Sequence, residues 1–74
     1  MEVIVGGVYR HFKGNLYSLE GVATHSETGE KMVVYKALYG NHELYVRPYD
    51  MFISKIDKDK YPFSDQEYRF ELVK

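Results

Sequence analysis

Apolar and polar residues alternate with a period of two along almost the whole chain, most cleanly in EYRFELV, where Tyr68, Phe70 and Leu72 interleave with Glu67, Arg69 and Glu71. Successive side chains of an extended strand point to opposite faces, so this spacing builds half-buried strands. The chain therefore has to make a sheet. ELYVRP repeats the alternation, Leu44 and Val46 against Glu43, Tyr45 and Arg47, and stops at Pro48, which has no N–H to give to a ladder. KMVVYKAL carries apolar groups on both parities, Met32, Val34 and Leu38 against Val33, Tyr35 and Ala37, which predicts a central strand covered on both sides. LYSLEGVAT is similar, and its Gly21 falls where a barrel strand bends or bulges. GGVYRHF supplies an opening strand.

Short turn signals separate these runs. KGN at Lys13 to Asn15, HSETGE at His25 to Glu30 and GNH at Gly40 to His42 all place Gly or Asn where a tight turn needs positive φ. After Pro48, YDMFISKI fits either one turn of helix, with Asp50 as cap and Met51, Phe52 and Ile56 on a loose common face, or a bent strand. DKDKYPFSDQ alternates charge around Pro62 and reads as a solvated loop that returns the last strand. Closure would remove exposed sheet edges at this size. The expectation is a single all-β domain over residues 1–74, a small SH3-like bent barrel of about five strands, with an OB-like barrel as the alternative.

Composition limits what such a barrel can do. A chain of 74 residues buries only about 60% of its unfolded surface. With no cysteine it has no disulfide and no thiolate, so packing of eight Tyr and four Phe must hold it. The formal charge of −1 argues against a duplex DNA partner, which would call for a basic excess. MEVIVGG lacks a basic leader and a long apolar core, and no run approaches the length of a bilayer span. The expectation is a soluble cytoplasmic protein, monomeric or weakly associated, without membrane contact.

HSETGE gathers the most chemistry-bearing residues. A turn suffices to explain it: Ser26 and Thr28 bond nearby backbone, Gly29 supplies the unusual dihedral, and Glu27 and Glu30 stay in water. A nucleophilic Ser26 would need a base, but His25 as its strand neighbour points the other way, leaving only His11 or His42. A metal would need His25 and Glu27 plus a third ligand from His11 or His42, and three scattered histidines assign no metal or cofactor. YRHFKGN offers Arg10, His11 and Lys13 to a phosphate, yet lacks the glycine spacing and following helix of a phosphate loop. Tyr35, Tyr39 and Tyr45 lie on or near neighbouring strands with Arg47 close by, a set able to stack a base or grip a flexible ligand.

Taken together, GGVYRHFKGNLYSLEGVATHSETGEKMVVYKALYG, YVRPYDMF and the closing RFELV resemble a small bacterial family, domain of unknown function 1653, over about Gly7 to Val73. The family pattern has Trp where this chain has Tyr45, and often Asp where it has Asn41. The resemblance implies no activity. Its signature does fall on polar residues, Arg10, His11, His25, Ser26, Glu27, Thr28 and Arg47, which packing alone explains less readily than a required Val or Tyr. The expected function is a non-catalytic binding module for a small polar ligand or a protein partner, using Arg10, His11, His25, Ser26, Glu27, Tyr39 and Arg47. The alternatives are a metal-assisted or His-dependent hydrolase built on His25 and Glu27, and single-stranded nucleic-acid binding on the tyrosines. A buried polar network of His25 and Glu27 with Arg10 or Arg47 would be the purely structural explanation.

Overall fold

Three tight turns between alternating runs produce a meander, and the computed structural model, which describes residues 2–74, shows one. Its elements are β1 (Val8–His11), β2 (Leu16–Thr24), β3 (Lys31–Ala37), β4 (Leu44–Pro48), α1 (Tyr49–Phe52) and β5 (Phe70–Leu72). All five strands join one antiparallel sheet in the order β4-β3-β2-β1-β5. The β1–β2 turn closes by the His11 N–H donating to the Asn15 carbonyl at 2.9 Å. The β2–β3 turn closes by the His25 N–H donating to the Glu30 carbonyl at 2.7 Å, with Gly29 at φ 77°.

The sheet bends where its longest strand carries an extra residue. Leu19 pairs with Tyr35 but Gly21 pairs with Val34, so Glu20 has no opposite number and β2 is bulged at the expected glycine. Bending lets a single sheet wrap its own core of Tyr9, Leu19, Val33, Tyr35, Phe52 and Phe70. Phe52 and Phe70 stack at 4.1 Å between centroids and 8° between planes, with Tyr9 and Tyr35 meeting Phe52 edge-on at 5.6 and 5.4 Å. The segment after Pro48 resolves as a single helical turn that delivers Phe52 into this stack. Its Asp50 lies in the first turn but makes no capping bond, and Pro48 occupies the cap position.

The all-β class and five strands are as expected; closure is not. Among the described residues no pairing joins β4 to β5, so the barrel is an open bent sheet, its gap crossed by the Arg47 guanidinium over the Phe70 ring at 5.8 Å and, beyond α1, by an isolated antiparallel bridge between Lys55 and Tyr68. Two strand expectations also change. β3 lies inside the sheet as expected, paired with β2 and β4, but it is not covered on both sides: it buries Val33, Tyr35 and Ala37 on one face and leaves Met32, Val34 and Lys36 half-buried on the other, because one sheet of this size has no second layer to cover its convex side. On β4 the mixed parity faces inward: Tyr45 pairs beside Tyr35 and Arg47 beside Val33, while Leu44 and Val46 point out at 63% and 62% exposure. The loop between α1 and β5 is solvated at Phe63 but not at Gln66, which is buried at 3% exposure. No helix among the described residues is long and apolar enough to cross a membrane.

Candidate functional site

The sheet brings three of the seven candidate residues together. His11 at the end of β1 and Tyr39 in the β3–β4 turn meet Tyr17, and Arg47 on β4 reaches the same cluster over Phe70, whose ring packs on Tyr17 and His11. The Tyr17 ring meets Tyr35, Tyr39 and Tyr45 edge-on at 5.3, 5.6 and 6.3 Å, and its hydroxyl lies 2.9 Å from that of Tyr39. Burial and that hydroxyl contact push the Tyr17 phenol above its ordinary range. The Arg47 Nε donates to the Tyr35 hydroxyl at 3.3 Å. These rings pack edge to face, so they brace one another more than they offer parallel platforms to bases.

His11 is half-buried against Phe70 at 5.0 Å and Phe12 at 4.6 Å, and its Nδ1 accepts the Lys13 N–H at 3.1 Å. Burial, then the positive charges of Arg47, Arg69 and Lys13, lower its pKa from 6.5 to about 4. Between those two values the unfolded chain binds a proton that the folded chain refuses, so stability is complete above pH 6.5 and falls as pH drops toward 4. The loss is about 1 kcal/mol once screening by water around this partly exposed ring is allowed for. Urea unfolding of the protein and of His11→Phe across that window checks it: the variant loses this part of the slope.

The remaining candidates lie elsewhere. His25, Ser26 and Glu27 sit at the opposite end of β2 from Tyr17, about 23 Å away along the strand. There the His25 Nδ1 accepts the Glu27 and Thr28 N–H groups at 3.2 and 3.3 Å, and the Thr28 hydroxyl accepts the Glu30 N–H at 3.2 Å. HSETGE is thus a turn held by His25 and Thr28. Ser26, expected to share that work, makes no side-chain hydrogen bond among the described residues. Arg10 points to the other face of β1, where its Nε donates to the Gln66 Oε1 at 2.9 Å while the Gln66 Nε2 donates to the Arg10 and Tyr68 carbonyls. That arrangement pins the α1–β5 loop. His11 and His25 do not converge with a carboxylate, and no three metal-ligating side chains cluster among the described residues.

A cleft that the sequence did not announce lies beside His11. It encloses about 250 Å³ and is lined by Phe12, Ile56, Asp57, Lys60, Tyr61 and Arg69. The backbone bond from the Phe12 N–H to the Arg69 carbonyl, 2.9 Å, joins its two walls. Phe12 and Tyr61 meet edge-on at 4.8 Å; the Lys13 ammonium stands 5.9 and 5.7 Å from their centroids, and that of Lys60 stands 5.7 Å from Tyr61. The Arg69 Nε donates to the Ser54 hydroxyl at 3.3 Å. Asp57 spends one carboxylate oxygen on the Asp59 and Lys60 N–H groups of its own turn. Among the described residues the ion pairs are Lys36–Glu20 and Lys55–Glu67, so Lys13, Lys60 and Arg69 have no carboxylate within 4.0 Å. In sequence only YRHFKGN hinted at this place. Lys60 and Tyr61 read as solvated loop, and Arg69 as the wet side of a strand. A second cleft of similar volume, lined by Glu30, Lys31, Tyr49 and Asp50, mixes charges of both signs.

No curated protein matches the chain. The crystal structure of a DUF1653 protein from Bordetella bronchiseptica superposes with a TM-score of 0.76 at 31% identity, covering 95% of this chain and 87% of that one. The family model described as protein of unknown function (DUF1653) matches residues 7–72, which contain every strand and both walls of the cleft. The chain belongs to the DUF1653 family.

Proposed function

We propose that the domain is a non-catalytic binding module for a small anionic ligand carrying a planar ring, seated in the cleft between Phe12 and Tyr61. One observation carries this reading: three cations, Lys13, Lys60 and Arg69, surround two aromatic rings at one cleft without a carboxylate paired to any of them. The rings offer apolar surface to a planar group, and the guanidinium and ammonium groups attract its charge. Neutral His11 fits the same preference, since the positive field that discourages its protonation favours an anion. The cleft is near the lower end of ligand-pocket volumes, which suits a small molecule. It is also open, and water that cannot be excluded favours binding over reaction.

The test is an amide NMR titration with AMP as the planar anion and inorganic phosphate as the charge alone. AMP is expected to shift Phe12 to Gly14, Lys60, Tyr61 and Arg69, phosphate to shift them less, and Arg69→Gln to weaken AMP at least about tenfold, or 1.4 kcal/mol. A spectrum unmoved by millimolar AMP, or a folded Arg69→Gln that binds it equally well, would overturn the proposal.

A further inference from the structure

The other end of the sheet carries a feature independent of the cleft. The Ala37 N–H donates to the Glu43 carbonyl at 2.9 Å, which fixes the parity of the β3–β4 ladder. Glu43, Tyr45 and Arg47 direct their backbone groups to β3, so those of Leu44 and Val46 point the other way, to the open edge. β4 is the last strand in the order, and nothing among the described residues bonds to that edge. Such edges are normally blunted by charge, proline or brevity. β5, the opposite edge, is only three residues long, whereas β4 offers two exposed aliphatics with free N–H and C=O groups.

The sequence of this edge is its own complement. Read antiparallel to itself about Tyr45, Glu43-Leu44-Tyr45-Val46-Arg47 sets Leu44 opposite Val46 and Glu43 opposite Arg47. We propose that two copies of this chain associate through β4 edges related by a two-fold axis at Tyr45, continuing the two sheets into one of ten strands. Leu44 and the facing Val46 exchange both backbone bonds, twice over, and their side chains meet on the convex face. Tyr45 meets its twin on the concave face, flanked by two Glu43–Arg47 pairs. Among the described residues Arg47 has no carboxylate within 4.0 Å, and the second copy supplies one. Sliding the register by two residues at one copy is worse in either direction. One way sets Leu44 against Pro48, which has no N–H, and the other sets Val46 against His42, which sits at φ 56° and is not extended.

The interface is small, so association is weak and concentration-dependent. Sedimentation equilibrium is expected to show the mass rising from 8.7 kDa toward twice that between micromolar and millimolar protein. The chain has no cysteine, so Tyr45→Cys places a sole thiol on the axis. Facing residues at a non-hydrogen-bonded antiparallel position have Cα atoms about 4.5 Å apart, within the disulfide range. Oxidation should join Tyr45→Cys into covalent dimers at least about tenfold faster than Val22→Cys, an exposed site away from the edge, because a preformed pair gives its thiols millimolar effective concentration. Adding Val46→Pro removes an edge N–H that β3 does not use, and is expected to abolish the difference. A mass of 8.7 kDa at every concentration, or equal rates for the two thiols, would overturn the proposal.

Discussion

Phe70→Ala is expected to lower stability by about 4 kcal/mol and the Tm by about 20 °C. A domain of this length has only about 4–11 kcal/mol to lose, so much of the variant should be unfolded at physiological temperature. The cost is large because Phe70 is fully buried and meets Phe52 face to face and Tyr17, Tyr35 and His11 edge-on, so the hole left behind is lined by rigid rings that cannot collapse into it. Phe70 also supports the Arg47 guanidinium, so its loss loosens the span between β4 and β5. Thermal melts followed by circular dichroism check this, with Phe70→Leu recovering part of the loss. A drop below about 1 kcal/mol would mean that the remaining rings refill the space.

The second large effect belongs to a polar residue. Gln66 is buried, and its amide both accepts from Arg10 and donates to two carbonyls, so Gln66→Ala deprives the Arg10 Nε and the Arg10 and Tyr68 carbonyls of this partner at once. The expected cost is about 2–3 kcal/mol, near the desolvation penalty of groups left unpaired. Hydrogen exchange should accelerate through the loop between α1 and β5 before it does in β2 and β3. Gln66→Leu keeps the volume without the bonds; were it as stable as the natural chain, packing and not bonding would hold the loop.

The strands were legible where local chemistry decides them. Turns at Gly14, Gly29 and Gly40, the bulge at Gly21 and the stop at Pro48 all follow from the backbone demands of single residues, and all are present. The facing of β4 was not. Hydrophobicity favours Leu44 and Val46 inside, yet the pairing with β3 turns Tyr45 and Arg47 inward, where a ring and an aliphatic stem pack as well as a Leu does. The site divided for a related reason. His11 and Tyr39 belong to a strand end and a turn at one end of the sheet, which Arg47, paired with Val33, approaches only through its long side chain over Phe70, and His25, Ser26 and Glu27 belong to the turn at the other end, a distance that hairpin length imposes. Gln66 and Arg69 gave no signal because their roles depend on β1, more than fifty positions earlier.

Among the described residues β5 pairs with β1 and with no other strand, across a separation of about sixty positions, the most expensive loop to close there. The three hairpins form from neighbouring residues and form quickly, while that last pairing sets the folding rate. During synthesis β1 to α1 emerge first, presenting Tyr9, Tyr35 and Phe52 on a bent sheet whose covering ring, Phe70, has yet to leave the ribosome. The nascent meander is therefore a sticky intermediate by construction, and it stays one until Phe70 has followed Phe52 into solution.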